Sequence, residues 1–191
     1  MAQSFSNLVA EINQHLQTQF PASELVVKDH WGSSQPEFRQ LIRQDLYKKL
    51  STLNGHPTSD ILDLNSIPDP KNFSVSISHC ALAGGYALSS KQKKIGFDIE
   101  DFDRDVTNAT KRISSAEEFL AAPHPMALWV AKEATLKALR LPLVSQAQIL
   151  GWKTLDASAK NFLYEFSALQ NGQGIVYQNG RLIMGLAFFP A

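Results

Sequence analysis

The stretch Lys94-Ile95-Gly96-Phe97-Asp98-Ile99-Glu100 constrains this chain more than any other. Apolar Ile95, Phe97 and Ile99 alternate with Gly96, Asp98 and Glu100, which is the period of a β-strand. Asp98 and Glu100 therefore project to one side. Two carboxylates side by side repel each other unless a cation lies between them. The hard cation that takes oxygen ligands and also binds phosphates is Mg²⁺. The plainer reading is the solvent face of an antiparallel strand, which alternates in the same way. Downstream, Trp129-Val130-Ala131-Lys132-Glu133-Ala134-Thr135-Leu136-Lys137 reads as a helix on which Glu133 and Lys137 share a face, with Trp129 one turn earlier. That helix could bring a third carboxylate and a positive charge to the same place. Upstream, Phe73-Ser74-Val75-Ser76-Ile77-Ser78-His79 is another alternating strand, ending on a polar pair.

Composition sets the outer limits. At 191 residues and 44% hydrophobic side chains the chain can bury a sizeable core, as one large domain or two small halves sharing it. The 18 basic and 18 acidic side chains balance, which argues against a broad nucleic-acid surface. A small basic pocket for one phosphorylated ligand is compatible with that balance. One cysteine, Cys80, forms no intrachain disulfide and suits a reducing, cytoplasmic setting. The N-terminal residues lack the basic-then-apolar pattern of a signal peptide, and no apolar run reaches membrane-spanning length. The expectation is a cytoplasmic protein without membrane insertion.

Taken in order, Phe5, Leu8, Val9, Ile12, Leu16 and Phe20 predict a helix over 4–19, capped by Ser4 or Ser6 and ended by Pro21. Leu25, Val26 and Val27 predict a strand over 24–28. Pro36 is expected to open a second helix with the stripe Phe38, Leu41, Ile42, Leu46 and Leu50. Residues 51–72, with Gly55, Pro57, Pro68 and Pro70, read as irregular. Strands follow over 73–78, 81–89 and 94–100. Ser90-Lys91-Gln92-Lys93 reads as a hairpin turn between the last two, and Gly84-Gly85 marks a bulge or a close backbone approach. Residues 104–122 hold one or two short helices, with Ser114 or Ser115 as N-cap and Glu117 and Glu118 in the first turn. The Trp129 helix runs on toward Pro142. The tail alternates over 148–155, 161–168, 173–178 and 181–189, with Asn179-Gly180 as a two-residue hairpin turn. The fold class is α+β.

Three of these segments, in this order, resemble the 4′-phosphopantetheinyl transferase superfamily. Its members show a strand ending in Ser-His, then Gly-Val/Ile-Asp-Ile/Val-Glu, then Trp-x-x-Lys-Glu-Ala-x-x-x-Lys. The matches are Ser78-His79, Gly96-Phe97-Asp98-Ile99-Glu100 and Trp129 to Lys137. A weaker match to Phe-Ser-x-x-Glu is Ile113-Ser114-Ser115-Ala116-Glu117. The matched region runs from about residue 73 to 137. The sequence departs from the family at Gly55-His56-Pro57, where Gly-Lys-Pro is usual. It departs again at Ala138-Leu139-Arg140-Leu141-Pro142-Leu143, where a Gly-x-Gly-Leu turn is usual.

The resemblance implies a pseudo-dimer of two α+β halves, 1–90 and 91–191, forming one globular unit and expected to be monomeric. It implies transfer of 4′-phosphopantetheine from coenzyme A to a serine of an acyl or peptidyl carrier protein, as in the priming of fatty-acid synthesis. It assigns Mg²⁺ to Asp98 and Glu100, and makes Glu133 a third metal ligand or the general base. Lys137 then neutralises phosphoryl charge, and Ser78 and His79 contact the phosphates of coenzyme A. Basic residues of the N-terminal half should hold the 3′-phosphate and adenine: Lys28, Arg39, Arg43 and Lys71 are the candidates. Glu117 has a supporting role, Trp129 belongs to the core, and Lys132 points to another face and reads as solvated. Two other readings are a non-catalytic module binding coenzyme A or a carrier protein, and an unrelated metal hydrolase. The five histidines offer no pair at ligand spacing for the latter.

Overall fold

The computed structural model describes residues 5–21, 23–54, 73–90, 93–155 and 160–190, and the statements below concern these residues. The order of elements is α1 (Phe5–Gln19), β1 (Glu24–Lys28), a 3₁₀ turn (Asp29–Trp31), α2 (Phe38–Asn54), β2 (Phe73–His79), β3 (Gly84–Ser90) and β4 (Lys93–Asp101). Then come α3 (Thr107–Ile113), α4 (Ala116–Ala121), α5 (Pro125–Leu139), a 3₁₀ turn (Val144–Gln146), β5 (Gln148–Thr154), β6 (Phe162–Ser167), β7 (Asn171–Asn179) and β8 (Leu182–Pro190). The chain is α+β, with two antiparallel sheets ordered β1-β3-β2 and β4-β8-β7-β6-β5. No helix among the described residues is long and apolar enough to cross a membrane.

The layers follow from which side chains each element must bury. On α1, Leu8, Ile12 and Leu16 form one apolar stripe, and it packs between the two sheets against Leu25, Ala87, Phe97 and Leu186. On α2, Ile42, Leu46 and Leu50 cover the outer face of the small sheet with Trp31 and Tyr86. The outer face of the large sheet is covered by α5, which is buried almost all round. Its small residues Ala127, Ala131, Ala134 and Ala138 let it lie directly on β4 and β8. A Cβ on Gly96 would stand 1.8 Å from the Ala134 carbonyl oxygen, and one on Gly185 would stand 2.5 Å from that of Val130. Glycine at these two positions is the condition for that approach.

Several expectations change. β3 and β4 lie in different sheets, so the two strands are not paired as the expected hairpin; residues 91–92 of its turn lie outside the described residues. β4 pairs instead with β8, which arrives from the end of the chain. Pro36 precedes α2 without opening it, because Glu37 intervenes with a left-handed φ of 62°. α2 also runs on to Asn54, into the stretch expected to be irregular. β3 begins at Gly84, and its glycines serve close approach: a Cβ on Gly85 would stand 2.0 Å from the Val26 carbonyl oxygen. The turn between β7 and β8 is residues 180–181, since Asn179 pairs with Leu182 and Gly180 takes φ 56°.

The two sheets meet along β2 and β4 without a backbone ladder. Ser74, Ser76 and Ser78 turn toward β4, and their hydroxyls accept from the N–H groups of Ile95 (3.1 Å), Phe97 (2.8 Å) and Ile99 (3.4 Å). The alternation of β2 is legible as a strand, but its polar face is an internal joint rather than a solvent face.

Candidate functional site

β4 has both faces covered. Ile95, Phe97 and Ile99 enter the α1 layer, so Gly96, Asp98 and Glu100 face α5. The carboxylates are therefore enclosed: Asp98 is 4% exposed. Enclosed charge requires partners. Lys137 reaches down from α5 and donates to Asp98 Oδ1 at 2.7 Å and to Ser78 Oγ at 2.9 Å. Ser78 in turn donates to the same Oδ1 at 2.8 Å. Asp98 Oδ2 is buried with no hydrogen-bond partner. Strand β2, strand β4 and helix α5 thus contribute one group each to a closed triangle, and an orphaned carboxylate oxygen stands beside it.

Glu100 is held differently. Arg104, in the turn after β4, donates through Nη1 to both of its oxygens at 2.8 Å, and Trp129 Nε1 donates to Oε1 at 3.1 Å. Trp129 is both a half-buried packing residue of the outer core and a site contact. Burial, and then the Asp98 carboxylate, push the Glu100 pKa above the ordinary range, while Arg104 and Trp129 pull it back. Burial and Asp98 also push Glu133 up, with Glu100 adding to them and Lys137 and Arg104 opposing. The three carboxylates feel one another across a space enclosed by β4 and α5. They do not stand as a ready-made ligand set: among the described residues no three His, Cys, Asp or Glu side chains are arranged to hold a metal ion. Two of the three are paired with the chain's own cations instead, Asp98 with Lys137 and Glu100 with Arg104. The oxygen-only donors, their mutual repulsion and the orphaned Asp98 Oδ2 nevertheless fit a hard divalent cation such as Mg²⁺.

His79 closes the β2 end. Its ring meets Phe38 edge-on at 4.5 Å. Burial, reinforced by Arg39 and Lys137, holds its pKa below the ordinary imidazole range against an opposing pull from Asp98. At neutral pH it is an uncharged donor beside two cations. Among the described residues, Arg39 is the N-terminal basic residue whose charge acts on His79; Arg43 lies one turn further along α2. Lys28 is committed elsewhere, to Asp45 at 3.0 Å and to the face of Trp31. Lys71 and the Gly55-His56-Pro57 segment lie outside the described residues.

A cleft of about 250 Å³ opens beside the triangle, between the β2–β4 joint and the C-terminal end of α5. Lys94, Lys137 and Arg140 line it over an apolar floor that includes Phe73 and Val75, and among the described residues no carboxylate does. Hollows of about 340 and 380 Å³ on the β5 side of the large sheet are roomier, but neither touches the triangle nor gathers cations. Arg140 ends α5 in the left-handed region at φ 52°, and Leu141 N–H closes back on the Leu136 carbonyl. This is the geometry glycine ordinarily supplies after a helix. The turn is made here without one, and it places a guanidinium-bearing residue at the cleft.

Lys132 corrects another expectation. It does face away from Glu133, but it is fully buried: Nζ donates to Glu118 Oε1 at 2.7 Å and to the Ala147 carbonyl at 2.6 Å. Burial lowers its pKa, and Glu118 opposes that. The helix-capping serine is Ser115, whose hydroxyl accepts from Glu118 N–H, while Glu118 Oε2 accepts from Ser115 N–H. The Ser-x-x-Glu spacing thus belongs to Ser115 and Glu118, one residue later than expected. Glu117 is solvent-facing on α4. Glu118, which also accepts from Ile149 N–H at 2.8 Å, ties α4, α5 and β5 together.

No protein-family model matches the chain, and no curated protein matches it.

Proposed function

We propose that the chain is a Mg²⁺-dependent 4′-phosphopantetheinyl transferase of the pseudo-dimeric α+β type. It moves 4′-phosphopantetheine from coenzyme A to a serine of an apo acyl or peptidyl carrier protein and releases adenosine 3′,5′-bisphosphate. One observation carries the reading. The buried Asp98, with its orphaned oxygen, is hydrogen-bonded to Ser78 and Lys137, and its charge adds to burial in raising the pKa of Glu100 and Glu133. Carboxylates for a metal, cations for phosphate and a raised-pKa base are thus gathered beside a cleft lined by cations.

Asp98 and Glu100 would hold the ion, leaving Glu133 unbound beside it. A Mg²⁺ ion bound there would supply Lewis-acid polarisation of the pyrophosphate and take up part of its charge. Glu133 is suited to act as base, since burial raises its pKa toward the working pH. It takes the proton as the serine oxygen bonds to the β-phosphorus; the bond from that phosphorus to the bridging oxygen breaks, and the nucleotide leaves. Lys137 and the neutral donor His79 hold phosphoryl charge, with Arg39 behind them. Most of the acceleration comes from positioning and charge stabilisation. The carrier is acidic around its serine and meets basic residues at the cleft mouth.

The test is intact mass spectrometry of an apo acyl carrier protein incubated with the chain, coenzyme A and Mg²⁺. A gain of one phosphopantetheine, lost with EDTA and in Asp98→Ala and Glu133→Ala, is expected. Coenzyme A binding without transfer to any of several carriers would refute the enzyme and leave the binding module.

A further inference from the structure

We propose that Arg104 is a built-in counter-cation that competes with the divalent metal for Glu100, so that the metal must displace it. The inference rests on the metal reading given above. Both oxygens of Glu100 are taken by a single guanidinium nitrogen, each at 2.8 Å. One nitrogen bridging both oxygens occupies the face of the carboxylate on which a metal would bind bidentately, and Oε1 also accepts from Trp129 Nε1. The other internal cation, Lys137, is braced by Ser78 and only 26% exposed. The Arg104 side chain is 54% exposed, over a Glu100 side chain that is 14% exposed. It approaches from the solvent side, with its guanidinium 5.8 Å from the Trp129 ring centroid.

The backbone around it is anchored, so the side chain alone can leave. Val106 is buried, Asp101 accepts from Ala81 and Leu82 N–H, and Arg104 N–H is bonded to the Asp101 carbonyl. Glu100 and Asp98 repel; Lys137 neutralises Asp98, and Arg104 with Trp129 Nε1 relieves Glu100. Metal entry therefore breaks an ion pair before it gains a ligand. The alternative role, a brace that holds Glu100 ready for the metal, predicts the opposite sign.

The probe is Mn²⁺, titrated into the full-length chain and followed by the electron paramagnetic resonance signal of the free aquo ion. Arg104→Gln should bind Mn²⁺ about 2- to 5-fold more tightly than wild type, the range set by a half-exposed ion pair. Arg104→Lys, which keeps the charge on a more flexible and more strongly hydrated group, should fall between them. Glu100→Gln should weaken binding, and adding Arg104→Gln to it should then change nothing. Equal or weaker binding by Arg104→Gln overturns the proposal while leaving the metal site standing. Absence of Mn²⁺ uptake by both wild type and Arg104→Gln overturns the metal reading and this inference with it.

Discussion

Gly96→Ala tests how closely the fold seats the helix on the carboxylate strand. The added Cβ would lie 1.8 Å from Ala134 O and 2.6 Å from Ala138 N, both backbone atoms that no rotamer change can move. Real Cβ atoms stay beyond about 3.0 Å of such neighbours, so α5 and β4 must part locally by roughly 1.2 Å. Overpacking of this kind typically costs about 1–3 kcal/mol, and an unyielding backbone contact belongs at the top of that range or above it. For a chain of this size about 3 kcal/mol lowers Tm by roughly 6–12 °C. The same displacement carries Lys137 and Glu133 away from Asp98 and stretches the 2.7 Å Lys137–Asp98 bond beyond hydrogen-bonding range. A misplacement near 1 Å costs a positioned reaction on the order of a hundredfold, so phosphopantetheine transfer should fall by about that factor. Thermal unfolding followed by circular dichroism, and initial rates from intact mass, read the two effects. Gly151→Ala is the control, since nothing lies within 4 Å of its added Cβ. A Gly96→Ala protein that matches Gly151→Ala in both Tm and rate would refute the packing argument.

Three further outcomes follow from the same structure. Lys132→Met strands the Glu118 carboxylate in the interior and should cost about 3–5 kcal/mol, and Lys132→Met/Glu118→Gln should recover part of it; chemical denaturation of the wild type, both single variants and the double variant measures the coupling. His124 caps α5 by accepting from Ala127 N–H at 3.1 Å through Nδ1, and burial holds its pKa below the ordinary value near 6.5. As pH falls through about 6.5 the unfolded chain takes up a proton that the folded imidazole refuses, so stability declines toward acid. His124→Asn keeps a cap that does not titrate, and its Tm should fall less than wild type between about pH 7 and 5.5; parallel slopes would contradict this. Burial pushes the Cys80 thiol up to about 12, so it should resist a thiol-specific disulfide reagent near pH 8 until denaturant is added.

The sequence disclosed the elements better than their assembly. Alternation marks β4 and β2 as strands because a period of two survives whatever covers the faces. What covers them is not local: α5 and the β8 partner lie far along the chain, so Asp98 and Glu100 on an enclosed face look the same as residues on a wet one. The same blindness produced the hairpin expected between β3 and β4. Spacing on one helix grouped Glu133 with Lys137, and alternation grouped Asp98 with Glu100. Arg104 is not legible in the sequence, because a turn brings it in and a turn leaves no periodic trace. Arg39 could not be told from Arg43, Lys28 or Lys71, because only the packing of α2 decides which of them meets His79. The burial of Lys132 is not legible either, because α5 is buried almost all round, which erases the polar stripe against which a lysine would stand out of place. Its partner did leave a signal, the Ser115-x-x-Glu118 spacing, legible once the cap is set one residue later.

A backbone ladder between strands is indifferent to which residues compose it, but the joint between β2 and β4 is written in side chains. Each hydroxyl of Ser74, Ser76 and Ser78 is a separately heritable fastening. Loss of any one leaves a β4 N–H without its acceptor, at about 1–3 kcal/mol where the group is buried. The last of the three is also the hydroxyl that bridges Asp98 and Lys137. Selection acting on how the two sheets are fastened and selection acting on how charge is gathered therefore meet at a single oxygen atom, and neither can be relaxed there without the other.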